Sequence, residues 1–324
     1  MASQAGLGLS RFANLGDALL DQLTKRILIL GGMGALGQPV VRRLISDGFT
    51  VRLLSREPFN TRMHFGGTII SNEGEMAMDA IEIIEGDCRR AFDVSTALTG
   101  CSGLHVSVKV SEGADSLQAL ESRTALAVAE AVKGRGLDLV TYTSCSFVNE
   151  EFTDNFIVKC KLDAEQIYID NDAPWMVLRV AQPMEYLREF NQFGVGIKFG
   201  EMGQAHHWIA SSDYAAVVAR AHRGEFDPNQ VLYPKGPEPY TFDRAMGTYL
   251  LNVHNRANMI KLPRGVLSVA KKLFPRPHLQ YYEAMMQLLN DAPEGSHRIK
   301  GHDEQVRGRT TLMQWCAQQS ELRQ

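Results

Sequence analysis

Cysteine is scarce and scattered in this 324-residue chain: five residues, Cys88, Cys101, Cys145, Cys160 and Cys316, with no Cys-x-x-Cys pair. An odd, irregular set excludes a disulfide framework or a zinc-ribbon site and reads as reduced intracellular thiols. An excess of one charge is also missing. Lys and Arg number 34 against 37 Asp and Glu, a formal net charge of −3, which excludes a strongly basic nucleic-acid binder and leaves small molecules and proteins as partners. No run of 18 apolar residues occurs, so no integral membrane segment is expected. The N-terminus lacks the charged-then-apolar plan of a secretory signal, and a cytoplasmic protein is expected. Residues 9–23 (LSRFANLGDALLDQL) have helical apolar spacing, but Asp17 and Asp21 argue against an organelle transit peptide. Residues 1–24 are therefore read as an N-terminal helix or extension.

What is present is an ordinary globular composition, 44% hydrophobic and 22% charged, in a chain long enough to bury a substantial core. The first half alternates β-type runs with helical segments, which predicts an α/β fold: a doubly wound, mostly parallel Rossmann-type sheet. Expected strands are 26–30 (RILIL), 50–54 (TVRLL), 81–84 (IEII), 103–108 (GLHVSV), 138–143 (DLVTYT) and 175–180 (WMVLRV). Expected helices cover 39–47, 115–133 and 157–169. Residues 57–80 exceed a usual connection, and Gly66-Gly67 suggests a hairpin or lid-like insertion there. Beyond residue 181 the alternation fades, with helices expected at 213–222 and 242–252 and a short strand at 231–233. The expected organisation is an extension (1–24), a dinucleotide-binding domain (25–185) and a smaller C-terminal substrate lobe (186–324) interleaved with the sheet edge.

The first expected strand runs directly into Gly31-Gly32-Met33-Gly34-Ala35-Leu36-Gly37, which opens a helix. In that context the glycines have separate tasks: Gly31 permits a tight turn, Gly34 a close approach to a pyrophosphate, and Gly37 close packing of helix on sheet. The helix N-terminus offers unpaired N–H groups to phosphate. Gly31, Met33, Gly34, Ala35, Leu36 and Gly37 are thus expected cofactor contacts. An NAD site normally has an acidic residue at the end of the second strand; here Ser55 and Arg56 stand there. A guanidinium suits a 2′-phosphate and a carboxylate would repel it, so NADP(H) is preferred, with NAD(H) as the alternative. The competing reading of Arg56 is a solvated loop arginine beside Glu57.

The spacing is GxxGxxG, and with several downstream segments it resembles the NmrA-like branch of the atypical short-chain dehydrogenases/reductases, relatives of the isoflavone-reductase-like enzymes. The segments are RILILGGMGALGQPVVRRLISDGFTVRLLSREP, IEIIEGDCRRAFDVSTALTGCSGLHV, DLVTYTSCS, KCKLDAEQIYIDNDAPWMVLRVAQPMEYL and WIASSDYAAVVARA. The resemblance implies a Rossmann fold and adenine contacts at Asp87 and Cys88. It also places Ser144 where ordinary short-chain dehydrogenases have their catalytic serine. The tyrosine of their Tyr-x-x-x-Lys is absent: Asn155 lies four residues before Lys159 and Ile157 four before Lys161. Lys161, four before Glu165, matches the family's KxxxE segment, which implies acid/base or cofactor work. The alternative is an i,i+4 ion pair with Glu165, and Lys159 is the fallback lysine.

Arg179 ends the sixth expected strand, where the family often has Arg-Pro; Val180 replaces the proline and weakens the loop 181–186 as a nicotinamide contact. His206-His207 read as structural or pocket residues, since neighbours in an extended segment point oppositely and no third ligand lies nearby. Asp213 matches a family aspartate expected to cap a helix and fasten the lobe. Residues 261–278 (KLPRGVLSVAKKLFPRPH) read as a basic surface helix, with an anionic lipid or acidic partner as the alternative. Two functions follow. One is an NADPH-dependent reductase of a small carbonyl, enone or quinone-like substrate, with Ser144 and Lys161 catalytic. The other is a non-catalytic NAD(P)(H) sensor or assembly factor acting through a protein partner or as a homo-oligomer.

Overall fold

The computed structural model describes residues 25–73, 81–108, 117–267, 269, 277–294 and 304–321. The first strand of the sheet carries apolar residues at successive positions, as a strand buried on both faces requires. In β1 (Arg26–Leu30), Ile27 and Ile29 turn to one face while Leu28 and Leu30 turn to the other. The central sheet comprises β1, β2 (Thr50–Ser55), β3 (Ile81–Glu85), β4 (Gly103–Val106), β5 (Leu139–Cys145), β6 (Trp175–Val180) and β11 (Gln230–Leu232). Their order is β3-β2-β1-β4-β5-β6-β11, every neighbouring pair parallel. The chain reverses its winding between β1 and β4, the position where doubly wound sheets open a crevice at their strand C-termini.

One sheet face is covered by α1 (Gly37–Ser46), α2 (Pro58–Glu73) and, from the second half of the chain, α6 (Ser211–His222), through Val40, Val41, Leu44, Phe65, Tyr214 and Val218. The other face carries α3 (Ala91–Ala97), α4 (Leu117–Val132) and α5 (Phe156–Ile169). A separate apolar cluster holds the C-terminal elements. These are β12 (Pro239–Thr241), α7 (Phe242–His254), α8 (Pro277–Asp291) and α9 (Leu312–Glu321), packed around Trp208, Phe242, Leu288 and Trp315. Two small sheets complete this lobe: β12-β10-β7, with β7 (Gln182–Pro183) and β10 (Ala205–Ile209), and β13-β9-β8, with β8 (Asn191–Gln192), β9 (Val195–Phe199) and β13 (Met259–Leu262).

Several expectations change. The 57–80 segment is not a hairpin: residues 58–73 form helix α2. Pro58 occupies its first position, where a missing N–H costs nothing, and Thr61 and Phe65, one turn apart, are buried. Residues 74–80 lie outside the described residues, as do 1–24. Strand β4 ends at Val106, short of Val108, and the start of the helix expected from 115 lies outside the described residues. Of the basic stretch 261–278, residues 268 and 270–276 also lie outside them. Within its described part Lys261 pairs with Glu201 and Arg264 with Asp291 at 2.9 Å, so these cations are already engaged. No helix of the described residues is long and apolar enough to cross a membrane.

Two histidines sit inside this sheet. His105 Nδ1 on β4 is 2.8 Å, and His222 Nε2 on α6 is 3.1 Å, from the Thr141 hydroxyl of β5. Burial lowers their pKa to about 3 for His105 and about 4 for His222. Both stay neutral in the fold while the unfolded chain protonates them below about pH 6.5, so the unfolded state binds more protons and stability falls as pH drops. Urea unfolding at pH 7 and pH 5 should differ by about 2 kcal/mol for each histidine. A His222→Asn variant should show a shallower dependence; an unchanged slope would reject this origin.

Candidate active site

The glycine loop links two cavities along the C-terminal ends of the strands. Gly31 has φ +85°, and a Cβ there would sit 2.1 Å from the Ser107 carbonyl oxygen. A Cβ on Gly37 would sit 2.2 Å from the Gly31 carbonyl oxygen, so only glycine lets α1 start this close to β1. Gly34 is less crowded: a Cβ there would meet only backbone oxygens, at 3.3 and 3.8 Å. Its N–H donates to the Gly31 carbonyl at 3.0 Å, closing the turn. No side chain caps α1 at Leu36; the Gln38 N–H already donates to the Gly34 carbonyl at 3.0 Å and Pro39 has no N–H, which leaves the Gly37 N–H at the helix start for an anion. This cradle fits a dinucleotide pyrophosphate.

On one side of the loop lies a cavity of about 300 Å³ at the ends of β1, β2 and β3. Ser55, Arg56, Asp87, Cys88 and Arg89 line it with the glycines. Arg89 was not foreseen, although the Asp-x-Arg spacing in Asp87-Cys88-Arg89 carries the signal. Its Nη2 lies 2.5 Å from Asp87 Oδ2, and its Nε 3.0 Å from both carboxylate oxygens. That hydrogen bonding holds the Asp87 carboxyl below its usual range, with the charges of Arg89 and Arg56 adding to it. Arg56 is exposed. The Ser55 hydroxyl is engaged locally, 2.7 Å from the Thr61 hydroxyl and accepting from the Glu57 N–H at 3.1 Å. Cys88 Sγ is 3.5 Å from the Thr124 hydroxyl, and burial raises its thiol pKa.

On the other side a cavity of about 100 Å³ lies at the ends of β5 and β6, lined by Ser144, Cys145, Lys161, Gln182, Tyr186 and Tyr281 among others. Ala35 and Leu36 of the loop reach this second cavity, Met33 lines the first, and Gly34 and Val108 line both. The charged groups beneath it form two separate buried pairs. Lys161 Nζ donates to Glu121 Oε1 of α4 at 2.5 Å and to the Thr143 carbonyl at 3.0 Å. The Tyr142 hydroxyl donates to the same Glu121 oxygen at 2.5 Å. Glu165 instead receives Arg179 of β6, Nη2 to Oε2 at 2.6 Å, together with the Ser144 hydroxyl. Arg179 Nη1 also donates to the Tyr233 hydroxyl at 3.0 Å.

The expected i,i+4 pair of Lys161 with Glu165 is therefore absent. A bidentate guanidinium outcompetes the ammonium for Glu165, and Lys161 turns to α4. Lys159 lies on the outer face, pairing with Asp163 at 3.4 Å. His207 Nδ1 binds Glu294 at 2.5 Å, and His206 is buried with its ring edge-on to Phe147. Among the described residues no group of three potential metal ligands converges. Asp213 fastens the chain, accepting from the Thr310 N–H at 2.8 Å and its hydroxyl at 3.1 Å. It does not cap its own helix, whose N-cap is Ala210.

Two further residues line this cavity: Tyr186, which ends the loop 181–186 considered from the sequence, and Tyr281, which no sequence signal marks. Tyr186 stands on a short 3₁₀ turn, Met184–Arg188. Glu185 anchors that turn by accepting from the Ser211 hydroxyl at 2.7 Å and the Trp315 indole N–H at 3.1 Å. A larger cavity of about 550 Å³ lies elsewhere, between the start of α5 and α8, and shares no residue with the glycine loop.

No family model and no curated protein matches the sequence. Solved structures do match in fold. The Escherichia coli NADPH-dependent quinone oxidoreductase QOR2, in complex with NADPH, superposes with TM-score 0.67 at 17% identity, covering 90% of this chain and 99% of that one. The Citrobacter sp. triphenylmethane reductase complexed with NADP(H) gives 0.68 at 17%, covering 91% and 99%. DesIV, a dTDP-glucose 4,6-dehydratase from Streptomyces venezuelae with NAD bound, gives 0.59 at 14%, covering 74% and 84%. The chain has the Rossmann-type α/β fold of these nicotinamide-dependent enzymes, in agreement at the level of fold with the NmrA-like resemblance carried by its motifs.

Proposed function

We propose that this protein is an NADPH-dependent reductase of a small carbonyl, enone or quinone-like substrate. The observation that carries the reading is the continuity of the crevice: Gly34 and Val108 line both cavities, so one extended ligand spans them. Arg56 and Arg89 would hold a 2′-phosphate at one end, the loop 31–37 and the start of α1 the pyrophosphate, and Asp87 and Cys88 the adenine side. The lobe 186–324 would close the substrate end, where Lys161 would bind ribose or orient the substrate. The bound dinucleotide supplies hydride. The fold neighbours that carry NADPH or NADP(H) support this reading.

Calorimetric titration tests it. NADPH should bind in the micromolar range and more tightly than NADH, and a carbonyl and quinone panel should consume NADPH. Arg56→Ala should weaken NADPH about tenfold, the loss of one charge-assisted contact, and leave NADH nearly unchanged. Equal binding of the two cofactors would sink the 2′-phosphate assignment.

One observation favours the second reading, a dinucleotide sensor. The Ser144 hydroxyl and Lys161 ammonium are both engaged with buried carboxylates, which leaves neither wholly committed to substrate. A sensor would bind cofactor without consuming it and change its oligomeric state or partner affinity with the NADPH/NADP⁺ ratio.

A further inference from the structure

The Tyr-x-x-x-Lys tyrosine is missing, but two tyrosines from other parts of the chain line the substrate-end cavity. Tyr186 and Tyr281 both line the cavity with Lys161 and Ser144. They reach it from different elements, Tyr186 from the turn after β7 and Tyr281 from α8, close enough for each phenol to influence the other's proton affinity. Both rings remain partly exposed. Tyr186 is not a loosely held surface residue. Its neighbour Glu185 is fixed to α6 and α9 by the Ser211 and Trp315 bonds, and Met184 and Leu187 beside it are buried.

We propose that Tyr186 is the proton donor to the substrate oxygen, that Tyr281 relays its replacement proton, and that the substrate is therefore an aldehyde or ketone in preference to a quinone. This rests on the reductase reading and narrows its substrate class. Addition of hydride to the carbonyl carbon, from a reduced nicotinamide dinucleotide, moves the C=O π pair onto oxygen. That oxygen takes the proton from Tyr186 Oη, one O–H bond forming as the other breaks. The phenolate left behind recovers a proton from Tyr281, whose own proton is restored from solvent.

The substrate preference follows from relative basicity. Burial raises the pKa of both phenols, so both keep their protons at neutral pH. An alkoxide is a far stronger base than a phenolate, and proton transfer to it from a buried phenol remains downhill. A quinone reduced by hydride becomes a hydroquinone anion, itself a phenolate, which gains no driving force from the same donor. Lys161, which donates to Glu121 and the Thr143 carbonyl, also lines this cavity.

The test uses the full chain and Tyr186→Phe, which keeps the ring and removes only the hydroxyl, with Tyr281→Phe as the second variant and thermal unfolding to confirm that both fold. Steady-state reduction of a panel of aryl aldehydes and ketones should fall about 100-fold in kcat for Tyr186→Phe, with a loss at least tenfold smaller on a quinone. Tyr281→Phe should give an intermediate loss. A second readout needs no turnover: 4-nitrophenolate, a chromophoric oxyanion, should bind the wild-type crevice and lose about tenfold in affinity in Tyr186→Phe, as removal of a hydrogen bond to a charged oxygen predicts. Equal losses on ketone and quinone, or an unchanged nitrophenolate affinity, would overturn the proposal. If the wild type binds NADPH and reduces only quinones, the proposal fails and the reductase reading stands. If it does not bind NADPH at all, both fall.

Discussion

Gly37→Ala is expected to destabilise the fold and to abolish high-affinity dinucleotide binding together. The added Cβ would stand 2.2 Å from the Gly31 carbonyl oxygen, 2.9 Å from Gly32 Cα and 3.0 Å from the Gly31 carbonyl carbon. All three are backbone atoms, so no side-chain rotation relieves the clash. The strand-to-helix junction itself must open, moving α1 off the sheet. Overpacking of this kind costs about 1–3 kcal/mol, and contact with rigid backbone belongs at the upper end. For a chain of 324 residues that corresponds to a fall in Tm of roughly 4–5 °C. Because the same junction sets the spacing of the phosphate cradle, NADPH affinity should fall by about 100-fold or more, an energy of about 3 kcal/mol. Gly247→Ala on α7 is the control: a Cβ there meets nothing within 4 Å, so the helix should gain about 0.5–1 kcal/mol from the lost glycine entropy. Differential scanning calorimetry and calorimetric titration check both. If Gly37→Ala retains its Tm and its NADPH affinity, the junction does not build the cradle.

The parts of this molecule that sequence made legible are those dictated by local periodicity. Strands buried on two faces are apolar at consecutive positions, as β1 (RILIL) and β6 (WMVLRV) are. Their positions, the glycine loop and helix α1 can therefore be read without coordinates. The small sheets of the C-terminal lobe could not be: β8 has two residues, and β9 (VGIKF) and β10 (AHHWI) mix polar and apolar side chains without a clear period. Nor could helix α2, because Gly66-Gly67 carries a turn signal that the buried Thr61 and Phe65 override through tertiary packing. The candidate site divides the same way. Gly31, Arg56, Asp87, Ser144 and Lys161 stand at fixed offsets from strand ends and line the two cavities. Tyr281 lies 95 positions from Tyr186 in the sequence, and no local pattern announces that the two meet. The alternative pairing of Lys161 with Glu165 fails for a related reason. The i,i+4 rule sees only one helix, whereas Glu165 is claimed by Arg179 from β6 and Lys161 by Glu121 from α4.

That exchange of partners decides how Lys161 must be tested. Lys161→Ala is expected to unfold the protein partially or wholly before it reports on catalysis. Glu121 is 4% exposed; with the ammonium gone, its carboxylate keeps only the Tyr142 hydroxyl. Breaking a buried ion pair by removing one partner costs about 3–5 kcal/mol, because the remaining charge stays in a poorly solvating site. A large part of a domain's net stability of roughly 5–15 kcal/mol would be lost. Lys161→Met combined with Glu121→Gln removes both charges while keeping the length of the side chains, and should recover most of the stability, since a neutral amide still accepts from Tyr142. The double variant then isolates the charge in the crevice. An enzyme that uses Lys161 should remain folded, bind NADPH within about tenfold of wild type, and lose at least 100-fold in kcat. A sensor should retain cofactor binding and its ratio-dependent change of state, because the arginines and glycines proposed to hold the dinucleotide are untouched. Chemical denaturation of the single and double variants supplies the stability arm. If Lys161→Ala is as stable as wild type, the Glu121 pair is not the buried support that its burial and 2.5 Å contact indicate.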